Sequence, residues 1–324
     1  MVMKKVKPLE FPIKERAYVT EFAPFKGCYN LLAIGTESRV LLYDIQLPDE
    51  DGGGFDRLID YTLITEIYHD SRVQALAFSP LTCLLSAPKT LKFATSDMEH
   101  NVRLFYTDLN AKNEVQTLKG HRSYVNTLVY NPETGDQIAS GSDDLTVMLW
   151  DTETGSRIHS ITFKSPVMSL GWHPMEVSKL MAAEKAGVIH IFNIVTYHPI
   201  LSVDCGVGPL LSANWSLSNS LLISVALRTD WIIYDLSKPS IPMVKKKVHE
   251  DGIRIVKFSS CTDSIIATSG QPNYTVKITS TNENDISPLL EVSNRPVGGV
   301  SWNHRFNYLA VGLDGYVCIR GVNN

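Results

Sequence analysis

The sequence predicts an all-β fold, a single seven-bladed β-propeller, and three observations predict it. An apolar–aromatic phrase recurs seven times, and its later copies are spaced at the length of one blade. Each copy is followed by a strand ending in small residues and then by a strand of bulky ones. Gly, Pro, Asn and Asp punctuate the intervals, and short strands evenly spaced between such turns belong to sandwiches, barrels or propellers. A repeat of about 43 residues selects the propeller, because one four-stranded blade has that length.

The recurring phrase marks the first strand of each blade. It reads Val19 to Phe22, Val73 to Phe78, Val125 to Tyr130 and Val167 to Trp172, with a proline two positions beyond each aromatic. Weaker copies run Leu211 to Trp215, Ile253 to Phe258 and Val297 to Trp302. The aromatics at 22, 78, 130, 172, 215, 258 and 302 are separated by 56, 52, 42, 43, 43 and 44 residues. Second strands follow at Leu32–Thr36, Phe93–Ser96, Ile138–Ser142, Leu180–Ala183, Leu222–Val225, Ile266–Ser269 and Leu309–Gly312. Third strands, expected to alternate inward and outward, lie at Val40–Asp44, Val102–Tyr106, Val147–Asp151, Ile189–Asn193, Trp231–Asp235, Val276–Ser280 and Val317–Gly321. More polar fourth strands such as Glu114–Lys119 and Arg157–Phe163 lead on to the next blade.

The seventh blade lacks a fourth strand of its own before Asn324, whereas Pro8 to Ala17 precede the first blade with no other role. Residues 1–17 are therefore expected to close the ring by pairing with Tyr316–Gly321. Pro8 and Pro12 fit only an outermost edge strand, where the missing N–H groups face water. The two long spacings mark insertions. Residues 47–60 hold an acidic, glycine-rich loop, Pro48 to Asp56, and residues 81–91 hold Leu81-Thr-Cys-Leu-Leu-Ser-Ala-Pro88, apolar for a loop. The second insertion has two readings: a segment folded back on its own blade, or a partner contact through Leu81, Leu84 and Leu85, since exposed apolar surface marks interfaces.

Composition bounds the function. With 324 residues, 44% hydrophobic and 20% charged, the chain is long enough to bury a large core. A net charge of −4 gives no footprint for non-specific nucleic-acid binding. Cys28, Cys83, Cys205, Cys261 and Cys318 are odd in number and widely spaced, which points to neither a disulfide framework nor zinc. The N-terminal Met-Val-Met-Lys-Lys-Val-Lys-Pro has no signal-peptide core, and the longest apolar stretch, Leu221 to Leu227, is too short to span a bilayer. A reducing compartment, cytosol or nucleus, is expected, and Asn214-Trp-Ser and Asn273-Tyr-Thr are read as chance triplets. Lys4-Lys5-Val6-Lys7 lies on a terminal tail. Lys245-Lys246-Lys247 falls on an outer strand, where lysines discourage edge-to-edge pairing.

The third unit, opening on Gly120-His121 and closing on Trp150-Asp151, resembles the WD-repeat family. Matched to that family's pattern, His121, Ser142, Asp144 and Trp150 look like its structural hydrogen-bonded tetrad, in which each buried polar group finds a partner. A His–Asp–Ser set also invites a catalytic reading, but a tetrad inside a blade faces no cleft. His69 and His249 stand at the position of His121, with Glu99 and Asn273 where Asp144 sits, so those tetrads are incomplete.

No G-x-G-x-x-G, phosphate loop, H-E-x-x-H or G-x-S-x-G occurs, and the inner-strand stretches Val125–Val129 and Val167–Gly171 are apolar or small. The reading is a binding scaffold, not an enzyme, with no cofactor and no metal. A ubiquitin-ligase substrate receptor or chromatin adaptor is the alternative. Receptors of that class show Trp-Asp-x-Arg, where this chain has Trp150-Asp-Thr-Glu153 and Tyr43-Asp-Ile-Gln46.

Phrases beyond the generic repeat carry a closer resemblance. They include Lys92-Phe-Ala-Thr-Ser96, Val102-Arg-Leu-Phe105, Ser165-Pro-Val-Met-Ser-Leu-Gly-Trp-His-Pro174, Lys179-Leu-Met-Ala-Ala-Glu-Lys185, Pro209-Leu-Leu-Ser-Ala-Asn-Trp215 and Asp230-Trp231. With them the chain resembles the WD-repeat nucleoporins of about 37 kDa, subunits of the Y-shaped nuclear-pore scaffold. The resemblance implies a monomeric propeller within a hetero-oligomer, attached to a large nucleoporin of about 160 kDa and to other subunits of that complex. It further implies a place at the nuclear envelope, support of pore assembly, mRNA export and protein transport, and visits to kinetochores in mitosis. Repeats alone name no contact residues.

Overall fold

A computed structural model describes residues 8–48, 58–84, 89–109, 113–206, 208–271, 275–281, 290–292 and 295–322. Among them every regular element is a β-strand, and the strands form seven four-stranded antiparallel sheets. No helix long and apolar enough to cross a membrane occurs among these residues. After β1 (Leu9–Arg16), blade 1 consists of β2 (Val19–Phe22), β3 (Leu31–Gly35), β4 (Arg39–Gln46) and β5 (Asp60–Tyr68). Blade 2 is β6 (Ala75–Phe78), β7 (Leu91–Ser96), β8 (Val102–Thr107) and β9 (Asn113–Leu118). Blade 3 is β10 (Val125–Tyr130), β11 (Gln137–Ser142), β12 (Thr146–Asp151) and β13 (Arg157–Thr162). Blade 4 is β14 (Val167–Trp172), β15 (Lys179–Glu184), β16 (Val188–Asn193) and β17 (His198–Asp204). Blade 5 is β18 (Leu210–Trp215), β19 (Leu222–Leu227), β20 (Asp230–Asp235) and β21 (Pro242–Lys247). Blade 6 is β22 (Gly252–Phe258), β23 (Ile265–Gln271), β24 (Thr275–Ser280) and β25 (Leu290–Val292). Blade 7 is β26 (Gly299–Trp302), β27 (Tyr308–Gly312) and β28 (Asp314–Gly321), with β1 as its outermost strand.

The recurring aromatic phrase is thus the innermost strand of every blade, as its order in the repeat requires. One expectation needs correcting. The third strands do not alternate: Val147, Met148, Leu149 and Trp150 are all buried. A neighbouring blade covers each face of the sheet, and strands covered on both faces carry near-continuous apolar runs. The outermost strands keep the most solvent contact, as in β9, where Asn113, Glu114 and Val115 are exposed. The core is correspondingly divided into seven apolar clusters, one at each blade–blade junction.

Hydrogen bonds between neighbouring inner strands supplement this packing. The Thr127 hydroxyl accepts from the Leu170 N–H (3.2 Å), Ser169 from Ala213 (3.0 Å) and Ser212 from Val256 (3.2 Å). Asn214 Oδ1 accepts from Phe258 N–H (2.9 Å), and the Ser301 hydroxyl accepts from Phe22 N–H (2.9 Å). The last of these crosses from blade 7 to blade 1. The circle is closed there by β1 as well, which pairs Leu9 with Ile319, Phe11 with Val317 and Pro12 with Tyr316. Phe11 and Ile13 are buried in the cluster between blades 7 and 1, and Phe11 stacks on Tyr61 at 4.1 Å. Glu15 accepts from the Thr36 hydroxyl (2.6 Å), the Ser38 hydroxyl (2.6 Å) and the Ser38 N–H (3.0 Å). Burial works to raise the Glu15 carboxyl, but the Ser38 and Thr36 bonds and the nearby Arg39 outweigh it and hold it below the ordinary value. The closing strand is therefore tied to both blades at the seam.

The lysine run 245–247 lies on β21, the outermost strand of blade 5. Lys245 pairs with Asp230 at 3.2 Å and the Lys246 ammonium reaches the Ser280 carbonyl. The acidic residues 49–57, the lysine cluster 4–7, Leu85 and Asn273 lie outside the described residues.

Candidate functional site

The polar set of blade 3 has a geometry that strand register dictates. His121 Nδ1–H donates to Asp144 Oδ2 (2.8 Å), and His121 Nε2 lies 2.7 Å from Ser140 Oγ, which also accepts the Trp150 indole N–H (2.8 Å). With Nδ1 protonated, Nε2 is the acceptor for the serine O–H, and every donor in the chain is used. The serine of the tetrad is therefore Ser140, not Ser142. Both project from the same face of β11, but Ser140 pairs with Met148, next to the Ile138–Trp150 pair. Ser142 lies about 7 Å further along the strand, where its hydroxyl donates to the Ser123 carbonyl (3.1 Å) and accepts the Asp144 N–H (3.1 Å). Ser142 shapes the turn that carries Asp144.

Burial lowers the His121 pKa, with Asp144 opposing the shift only in part. Burial raises that of Asp144, but the bonds from Thr146, the Arg122 N–H and His121 more than reverse it. Ser140 is fully buried and Trp150 nearly so. A hydroxyl enclosed in this way meets no substrate, so the set locks the blade and has none of the access a nucleophile requires.

Other blades use substitutes. In blade 2, His69 Nε2 meets the Thr95 hydroxyl at 2.9 Å, and Phe105 takes the place of the indole. The buried Asp97 carboxylate accepts Arg103 Nε at 2.9 Å, and Arg103 continues to Asp70 at 2.7 Å. In blade 6, His249 Nε2 lies 3.0 Å from Thr268 Oγ1, and burial pushes its pKa down to about 4. In blade 4, the buried Glu184 accepts from Ser165 N–H (2.7 Å) and Lys164 N–H (3.0 Å) and meets His190 Nε2 (2.8 Å). These locks escape a search for the tetrad pattern, because Asp97 and Glu184 sit at the strand position of Ser142, where that pattern expects a hydroxyl and not a carboxylate.

The insertion at 81–91 is divided. Cys83 bridges to Thr90, and the Thr82 hydroxyl donates to the Lys92 carbonyl (2.7 Å), folding the described part back onto its own blade. Leu84 packs against the cluster between blades 1 and 2 and is partly buried there. Leu81 stays 46% exposed and, with the exposed Val115, lines a groove of about 550 Å³ between blades 2 and 3.

The central channel, about 490 Å³, is lined by all seven inner strands. The expectation of apolar or small inner strands fails at β2 and β22. Lys257 pairs with Glu21 at 2.6 Å, and Arg254 adds an exposed guanidinium to the wall. Both members of the pair keep over a quarter of their side-chain surface in solvent, which is how charge is tolerated there. Among the described residues no cluster of three or more His, Cys, Asp or Glu is placed to hold a metal ion.

Comparison with known proteins adds a second line. The family model for the WD domain, G-beta repeat, matches residues 112–151, the stretch that ends with the complete tetrad. The chain is 34% identical to nucleoporin Nup37 of Homo sapiens over 304 residues, 93% of this chain and 92% of that protein. It is 33% identical to the Nup37 of Drosophila melanogaster over 305 residues, with 93% of each chain covered. A match to histone acetyltransferase type B subunit 2 of Eremothecium gossypii is shorter, at 30% identity over 170 residues, 51% of this chain and 40% of that one.

Proposed function

Because this chain belongs to the Nup37 family of nucleoporins, we propose that it is a non-catalytic scaffold subunit of the nuclear pore complex at the nuclear envelope. The observation that carries this reading is coverage: the similarity runs through 93% of the chain, all blades included, whereas a shared repeat alone would align part of it. The enclosure of Ser140 behind Trp150 supports a binding role over a hydrolytic one.

Within the pore, the chain occupies the Y-shaped outer-ring complex and attaches to its large nucleoporin of about 160 kDa, serving pore assembly, mRNA export and protein transport. The groove holding Leu81 is one contact in this attachment, since exposed apolar surface marks interfaces. A fluorescently tagged chain expressed in cells tests the reading: a continuous rim of signal at the nuclear envelope is expected, and diffuse signal overturns it. Capture from nuclear extract separates the alternatives, with scaffold nucleoporins expected, and histones or ligase adaptors counting for a chromatin or receptor role. Leu81→Ala is expected to weaken capture of the large nucleoporin several-fold, and undiminished capture would remove the groove from the interface.

A further inference from the structure

The turns joining first to second strands and third to fourth strands all emerge on one face of an antiparallel propeller. In blade 3 that face is polar. Asn131 Oδ1 accepts the Glu133 N–H (3.1 Å), and Asp151 Oδ1 accepts the Glu153 N–H (2.9 Å), leaving both glutamates in water. Blade 4 builds the same two turns with the same bonds. His173 Nδ1 accepts the N–H of Met175 (3.0 Å), and Asn193 Oδ1 accepts the N–H of Val195 (2.8 Å). Met175 thus stands where blade 3 has Glu133, and Val195 where it has Glu153. The turn does not require an apolar side chain at either place, yet Met175 is 80% and Val195 74% exposed.

Blade 5 continues the pattern on the same face. Leu217 and Leu221 lie in its first turn and Ile241 in its second, 44%, 49% and 73% exposed. The Leu236 N–H bonds the Leu221 carbonyl (2.8 Å), joining the two turns, and His173 packs edge-on against Trp215 at 4.8 Å, joining the two blades. Ile200 and Met243, 51% and 61% exposed at the adjoining ends of β17 and β21, extend the apolar exposure of this face.

We infer that this face of blades 4 and 5 is a docking surface for an uncharged, apolar groove on a scaffold nucleoporin, an inference that rests on the nuclear-pore reading. The local charges specify the occupant. Glu176 and Lys179 neutralise each other at 2.7 Å, and the charge of Asp235 is offset by Lys238 in the same turn, so the patch offers no net charge to a polyanion. The aromatic of these turns, Tyr197, is only partly exposed and is stacked on His159 at 3.8 Å, so the patch presents no fully exposed Trp or Tyr of the kind that anchors proteins at a bilayer interface. The exposed apolar side chains project from turns as knobs, which a concave surface receives. A grooved partner is the complement that remains.

The test compares the full chain with two variants, Met175→Glu/Val195→Glu and Leu217→Ser/Ile241→Ser. Each is immobilised and incubated with nuclear extract, and the bound scaffold nucleoporins are quantified by mass spectrometry. Wild type is expected to enrich them, and each variant to lose at least tenfold with an unchanged melting curve. Enrichment by both variants equal to wild type overturns the docking surface and leaves the nuclear-pore reading standing. Failure of the wild type itself to enrich any scaffold nucleoporin overturns the nuclear-pore reading and this occupant with it. Self-association in sizing experiments, or flotation with phosphatidylcholine vesicles, that the variants abolish would reassign the surface to another occupant.

Discussion

Removing the Ser140 hydroxyl leaves two buried nitrogens, His121 Nε2 and the Trp150 indole, without their shared partner. Ser140→Ala is therefore expected to cost about 2 kcal/mol in urea denaturation, the penalty of stranding buried polar groups, and Ser142→Ala about 1 kcal/mol or less. Equal losses would return the bridge to Ser142. Sequence spacing does not decide between these serines, because they share a strand face; the register Ser140–Met148 does. Acid sensitivity is also set at this scale. An unfolded histidine takes up its proton near 6.5, whereas buried His249 resists down to about 4. Between those values the unfolded chain binds the extra proton, so stability is full above 6.5 and falls as pH drops toward 4. His69, His121 and His304, all lowered mainly by burial, act in the same direction. Denaturation midpoints measured from pH 7 to 4 are expected to fall, and to fall less steeply in His249→Gln than in the parent.

At the scale of single strands, β1 is the element whose loss matters most. Phe11→Ala is expected to cost about 3–5 kcal/mol, as for other fully buried aromatics, because its ring fills the cluster between blades 7 and 1. Deleting residues 1–16 adds a bare β28 edge to that loss and should lower the melting temperature markedly; an unchanged curve would deny the strand its closing role. The seam also tolerates no added bulk. A methyl on Gly298 would collide with the Ala17 carbonyl, so Gly298→Ala is expected to destabilise the chain where the same change at open Gly27 is neutral. The position of β1 was readable from a count of strands and from prolines that only an edge accepts. The docking of Glu15 onto Thr36 and Ser38 was not, because it depends on the path the chain takes from β1 into β2, which spacing does not record.

For the whole molecule, the number of blades followed from the spacing of seven aromatics, since each caps an inner strand that has one place in the ring. The channel charges and the apolar turns of blades 4 and 5 were hidden by contrast. Glu21 and Lys257 lie 236 residues apart in sequence, and the exposure of Met175 depends on the direction in which a turn points, which composition does not record. The pairing of β1 with β28 has a further result in time. Leu9 is translated some 310 residues before its partner Ile319, which at ordinary rates is tens of seconds. During that interval only blade 1, through Tyr43 and Tyr61, is available to cover Phe11, and the backbone edge of β1 waits unpaired for β28. A circular permutant that joins β28 to β1 and opens between blades 1 and 2 would make the two strands neighbours from the start. Its refolding is expected to be faster and less prone to aggregation than that of the natural order, measurable by stopped-flow fluorescence and light scattering.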